Sequence, residues 1–135
     1  MRAFKLVMMI SVFSIGLFAF SLIDQSNDWE IPAKYQKMTN PTNPKDAEGL
    51  DIGKDLYNKH CKSCHGKEGL GDGPKAAEVD GDLGDFSSKA FQAQKDGVLF
   101  YKSYIGRDDM PNFEKKIPDQ EEMWFVINYM KTMGK

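Results

Sequence analysis

Cys61-Lys62-Ser63-Cys64-His65 is the stretch on which the reading of this chain turns. Two thiols three residues apart come near one another at a helix end, where each can form a thioether to a haem vinyl group. The next residue, His65, then presents its imidazole to the iron from the same side, so attachment and proximal ligation come from five consecutive residues. Two other chemistries use a C-x-x-C pair. A thioredoxin-like site opens a helix after a strand, whereas the segment before Cys61 reads as helix. A structural zinc site asks for four ligands, and beyond Cys61, Cys64 and His65 the one remaining histidine is His60, next to the first cysteine. The chain has no other cysteine, and a bridge between these two would close too short a loop to staple a domain.

Upstream, Gly53, Leu56, Tyr57 and His60 fall on one helical stripe running into the motif, and the glycine on it permits a second helix to approach closely. His60 lies on the same helix end as the thiols and cannot reach the opposite face of a porphyrin. It reads as a partly exposed helix residue.

An electron-transfer haem takes a second axial ligand, usually Met or His, which turns attention to the methionines downstream of His65. Met123, Met130 and Met133 recur at helical spacing with Val126 and Ile127, the pattern of a buried helix face. Met110 differs. It sits in the polar, turn-rich stretch Gly106-Arg107-Asp108-Asp109-Met110-Pro111-Asn112-Phe113, and Pro111 biases it away from helix. Met110 is the candidate distal ligand; the competing reading is a loop methionine covering an apolar patch.

The last helix has Pro118 near its start, an Asp119-x-x-Glu122 spacing like a capping box, and Gly134 at its end. Met123, Val126, Ile127 and Met130 give it an inner face, with Trp124, Phe125 and Tyr129 on adjoining faces. A middle helix over roughly 96–105 offers Val98, Leu99, Tyr101 and Tyr104 to a haem pocket. The acidic, glycine-spaced run Asp80-Gly81-Asp82-Leu83-Gly84-Asp85 reads as a solvated loop.

In chain order, Gly53, Tyr57, the Cys61–Gly66 motif, Gly69-x-Gly71-Asp72-Gly73-Pro74, the Met110 loop and the aromatic last helix resemble a class I cytochrome c domain over residues 48–135. The resemblance implies an all-α cytochrome c fold of three to five helices wrapped around one covalently bound haem c, with the first and last helices crossing. It also implies that the carbonyl of Pro74 accepts a hydrogen bond from Nδ1 of His65, the device that orients a ligating imidazole. The expected cofactor-binding set is Cys61, Cys64, His65, Pro74 and Met110, with His65 and Met110 on the metal. In so small a domain, without a disulfide framework, the haem acts as the staple.

The N-terminus carries Arg2 and Lys5 and then no charge from Leu6 to Ile23. Residues 1–21 read as a signal peptide cut after Ser21 or as an uncleaved anchor, a pair that length does not separate. Residues 22–47, rich in Asn, Pro, Lys and Gln, read as a linker whose Trp29, Ile31, Tyr35 and Met38 either dock on the domain or a partner or remain loosely ordered. The expected location is the periplasm or the outer face of a bacterial cytoplasmic membrane, with possible anchoring there through the N-terminus.

With 135 residues there is room for one domain, and a net charge of −2 gives no footprint for nucleic acid. No Ser/His/Asp grouping or nucleophile signature argues for an enzyme. The expected function is electron transfer between Fe(II) and Fe(III) in a respiratory or photosynthetic chain, as a carrier or a complex subunit. The partners would be redox proteins such as a respiratory complex, reductase or terminal oxidase. The alternative is a five-coordinate haem with peroxidase or gas-sensing activity.

Overall fold

The computed structural model describes residues 29–134; the basic, apolar stretch read as a signal or anchor lies outside the described residues. The described chain folds into α1 (Ala33–Gln36), α2 (Ala47–His60), α3 (Lys62–His65), a 3₁₀ turn (Ala76–Glu78), α4 (Lys89–Gln92), α5 (Asp96–Tyr104) and α6 (Gln120–Lys131). Among the described residues no strand forms, and one isolated bridge joins Arg107 to Met110. The all-α fold is thus the one formed. Its three longer helices are supplemented by one-turn segments.

Helix α2 begins where Asp46 accepts a hydrogen bond from the Gly49 amide at 3.0 Å, and Glu48 complements the positive helix end. Gly49, Gly53 and Tyr57, four residues apart, are its buried face. Gly53 is the crossing point with α6, because any Cβ there would collide with the Phe125 carbonyl. Tyr57 is fully buried, and its hydroxyl donates to the Gly66 carbonyl at 2.8 Å, tying α2 to the end of the Cys61–Gly66 motif.

Helix α6 buries Met123, Val126, Ile127 and Met130, the face its periodicity indicates, together with Trp124. Asp119 is its cap, but the side chain accepts from the Glu121 amide at 2.8 Å, one residue short of the Glu122 position of a capping box. In α5 the buried aromatics are Phe100, stacked 4.3 Å from Trp124, and Tyr104. Tyr101, expected in the haem pocket, instead packs 4.7 Å from Tyr35 of α1, since the residue after an inward Phe100 points about a third of a turn away.

Residues 29–46 are not a linker. Tyr35 is buried in the core, and Gly97 of α5 admits the strap so closely that a Cβ there would collide with the Tyr35 carbonyl. Asn40 and Thr42 close a hydrogen-bonded ring with buried Asn128 of α6: Asn40 Nδ2 donates to Asn128 Oδ1 at 2.6 Å, and Asn128 Nδ2 donates to Thr42 Oγ1 at 2.9 Å. Of the two fates open to the large side chains of this segment, docking on the domain is the one adopted. Two aromatic rings and a satisfied polar ring outweigh the turn-forming composition.

Candidate haem-binding site

Cys61 ends α2, its amide donating to the Tyr57 carbonyl at 2.8 Å, and the chain turns there into α3, which carries Cys64 and His65. Both cysteines are free thiols. Cys61 is 9% exposed and belongs to the apolar core, and burial, with Cys64 nearby, pushes its thiol up to about 12. It is a neutral thiol held in apolar surroundings at physiological pH.

Burial lowers the pKa of His65, opposed by a hydrogen bond to a backbone carbonyl. That carbonyl belongs to Leu83, 3.0 Å from Nδ1. A carbonyl can only accept, so Nδ1 carries the hydrogen and Nε2 keeps the lone pair that a metal requires. The imidazole packs against Phe86, with centroids 4.7 Å apart and planes 32° apart.

The acceptor implied by resemblance, Pro74, does not serve. Its turn is docked on the backbone of the motif, Gly73 donating to Cys64 at 3.1 Å and Lys75 to Ser63 at 2.8 Å, and Pro74 itself is exposed. The acidic loop takes its place. Asp82 Oδ1 accepts from the Gly84 amide at 2.8 Å, Gly84 has φ +71°, and the Phe86 amide reaches the Gly69 carbonyl at 2.7 Å. These bonds fold residues 82–86 back over the ring. Asp80, Asp82 and Asp85 are exposed as expected of a solvated loop, but Leu83 is half-buried and its carbonyl faces His65. The spacing of glycines was the available signal; nothing in it told which carbonyl would face inward.

Met110 closes a tight turn in which Arg107 and Met110 each donate a backbone hydrogen bond to the other at 2.9 Å. The loop is anchored by the Phe113 amide on the Tyr104 carbonyl at 2.9 Å, and Phe113 is buried. Met110 is half-buried and packs against the same apolar cluster that contains Cys61. His60 packs edge-on against Phe113 at 5.8 Å, and its pKa is lowered by burial and then by Lys59 and Lys116.

The donor set fits a covalently held haem: two free thiols one turn apart, an imidazole with its Nε2 lone pair available, and a thioether on the same apolar body. It does not fit zinc, because among the described residues no three His, Cys, Asp or Glu side chains converge on a metal position. A surface groove of about 790 Å³ lined by Met38, Asn40, Lys95 and Asp96 touches none of these residues.

The family model for cytochrome c matches residues 50–134. The chain belongs to the cytochrome c family. Membership brings a covalently bound c-type haem and electron transfer through it. Among solved structures, this cytochrome c is similar to a chain of the Kuenenia stuttgartiensis reducing HAO-like protein complex Kustc0457/Kustc0458. The two are 26% identical with a TM-score of 0.58, the match covering 70% of this chain and 47% of that one. This chain therefore spans about half the length of that relative. The KustC0563 c-type cytochrome is 24% identical with a TM-score of 0.52, covering 62% and 98%. Cytochrome cL of Methylophaga aminisulfidivorans MPT is 19% identical with a TM-score of 0.50, covering 66% and 57%. No curated protein matches the sequence.

Proposed function

We propose that this is an exported, single-haem electron carrier or complex subunit in which His65 and Met110 are the two axial ligands. A c-type haem supplies reversible one-electron chemistry between Fe(II) and Fe(III). Cys61 and Cys64 would anchor it through thioethers, Nε2 of His65 would ligate one side, and the Leu83 carbonyl would keep that ring oriented and more basic. Met110 would fill the other side, leaving no open position for oxygen or peroxide, which favours electron transfer over the five-coordinate alternative. Exposed Lys62, Lys67 and Lys75 lie in or near the motif and would meet an acidic patch on a redox partner. Export rests on Arg2 and Lys5 followed by the uncharged Leu6–Ile23 stretch, and the mass of the purified holoprotein tells whether the leader is cut after Ser21 or kept as an anchor.

The observation that carries the reading is that Met110 lies in the loop between α5 and α6 and packs on the cluster containing Cys61, whereas Met123 and Met130 are buried within α6 and Met133 lies in the turn just past its cap, its amide on the Met130 carbonyl. Leucine at Met110 conserves volume, so packing alone should cost less than about 1.5 kcal/mol. Met110→Leu should retain covalent haem, lose the weak long-wavelength sulfur-to-iron band of the ferric protein, lower the reduction potential and admit imidazole or CO readily. An unaltered spectrum and potential, with the band lost instead in a Met123, Met130 or Met133 variant, refutes the assignment.

A further inference from the structure

Residues 29–49 precede the part of the chain that the cytochrome c family model matches, yet one of them reaches the methionine loop. The Arg107 guanidinium lies over the indole of Trp29, 4.4 Å from the ring centroid. The same indole meets Tyr101 of α5 edge-on at 6.3 Å, and Tyr101 in turn packs on buried Tyr35 at 4.7 Å. Trp29 is therefore seated on the domain with Arg107 as its nearer cation, Lys102 Nζ lying farther out at 6.0 Å from the same ring centroid.

Arg107 is the first residue of the turn whose last is Met110. Between them Asp108 has φ +52°, a left-handed conformation that costs an L side chain, though aspartate adopts it more readily than most residues. Asp108 and Asp109 are exposed, so they bring little packing to the closed turn. Arg107 also pairs with Asp108, Nε to Oδ2 at 3.1 Å, which joins the held cation to the strained residue.

We propose that the N-terminal strap positions the methionine loop, with Trp29 acting as a positioning residue that grips Arg107 and keeps the Arg107–Met110 turn closed. This inference rests on Met110 being the distal ligand. Its consequence is that the strap sets how often the loop opens, and hence how readily a foreign ligand competes with Met110.

The test uses the full-length holoprotein in the ferric state, with imidazole as the competing ligand. Competition makes the apparent Kd of imidazole proportional to how strongly the loop favours its closed form. Losing a partly exposed cation–π contact should tighten that Kd about two- to fivefold in Trp29→Leu. Trp29→Phe, which keeps an aromatic face, should lie nearer the parent. Arg107→Gln, which also loses the pair with Asp108, should shift at least as far as Trp29→Leu without altering the strap, and the double variant should shift no further than Arg107→Gln alone. A strap that merely stabilises the whole domain would instead give additive effects, which overturns the proposal, as does an imidazole Kd unchanged in both single variants. Should the parent lack the sulfur-to-iron band, or keep it in Met110→Leu, the axial-ligand reading fails and this inference falls with it. A parent that passes both checks while Trp29→Leu binds imidazole as the parent does leaves the axial reading standing and removes only the role of Trp29.

Discussion

At Gly53 a single added carbon would meet the carbonyl of Phe125, which is backbone and cannot rotate aside. Gly53→Ala must therefore push α2 and α6 apart, and overpacking of this kind costs about 1–3 kcal/mol. Chemical denaturation of the holoprotein should show a lower midpoint with an unchanged slope; a variant as stable as the parent would mean the helices have room that the structure denies them. The requirement was legible in the sequence, because a glycine inside an amphipathic stripe weakens the helix and is kept where another backbone must come close. The acceptor for His65 was not. Pro74 and Leu83 both stand in glycine-punctuated loops, and the choice depends on which loop is docked by the backbone of Ser63 and Cys64 and which is left free to fold over the imidazole.

Among the elements, the strap and α6 are joined by a polar contact that no sequence pattern announces. Asn128 is 3% exposed within a helix whose other inward residues are apolar, and both atoms of its amide are used by Asn40 and Thr42. Asn128→Ala leaves the Asn40 amide and the Thr42 hydroxyl without their partner, at a cost of about 1–3 kcal/mol. The Asn40→Ala/Asn128→Ala double variant should then lose clearly less than the two single losses combined. Additive losses in a double-mutant cycle would show that the two amides act separately. The inner face of α6, by contrast, follows from periodicity alone, since Met123, Val126, Ile127 and Met130 can be buried together only if they share one side of a helix.

For the whole molecule, Tyr35 links residues 29–46 to the same buried cluster that holds Tyr57, Phe100 and Cys61. The strap and the family domain should accordingly unfold as one unit. Truncating a buried aromatic typically costs about 3–5 kcal/mol, and for Tyr35, at the edge of the cluster, the lower end, about 3 kcal/mol, is expected. Calorimetry of Tyr35→Ala should show a single transition moved to lower temperature. A second, separate transition, or a main transition left in place, would make the strap an appendage.

The sequence by itself marked Cys61, Cys64 and the imidazole of His65 as the candidate haem-binding residues and determined the helical class and the buried face of α6, because each depends on spacing along a few turns of one helix. It also singled out Met110, whose loop setting is local. Only the tertiary structure decided that Leu83 rather than Pro74 faces His65, that Tyr101 turns toward Tyr35, and that residues 29–46 are part of the domain with Trp29 against Arg107. Those choices join positions from 18 to nearly 90 residues apart, as for His65 and Leu83 or Asn40 and Asn128, and such pairings are set by how whole elements pack, which no local pattern encodes.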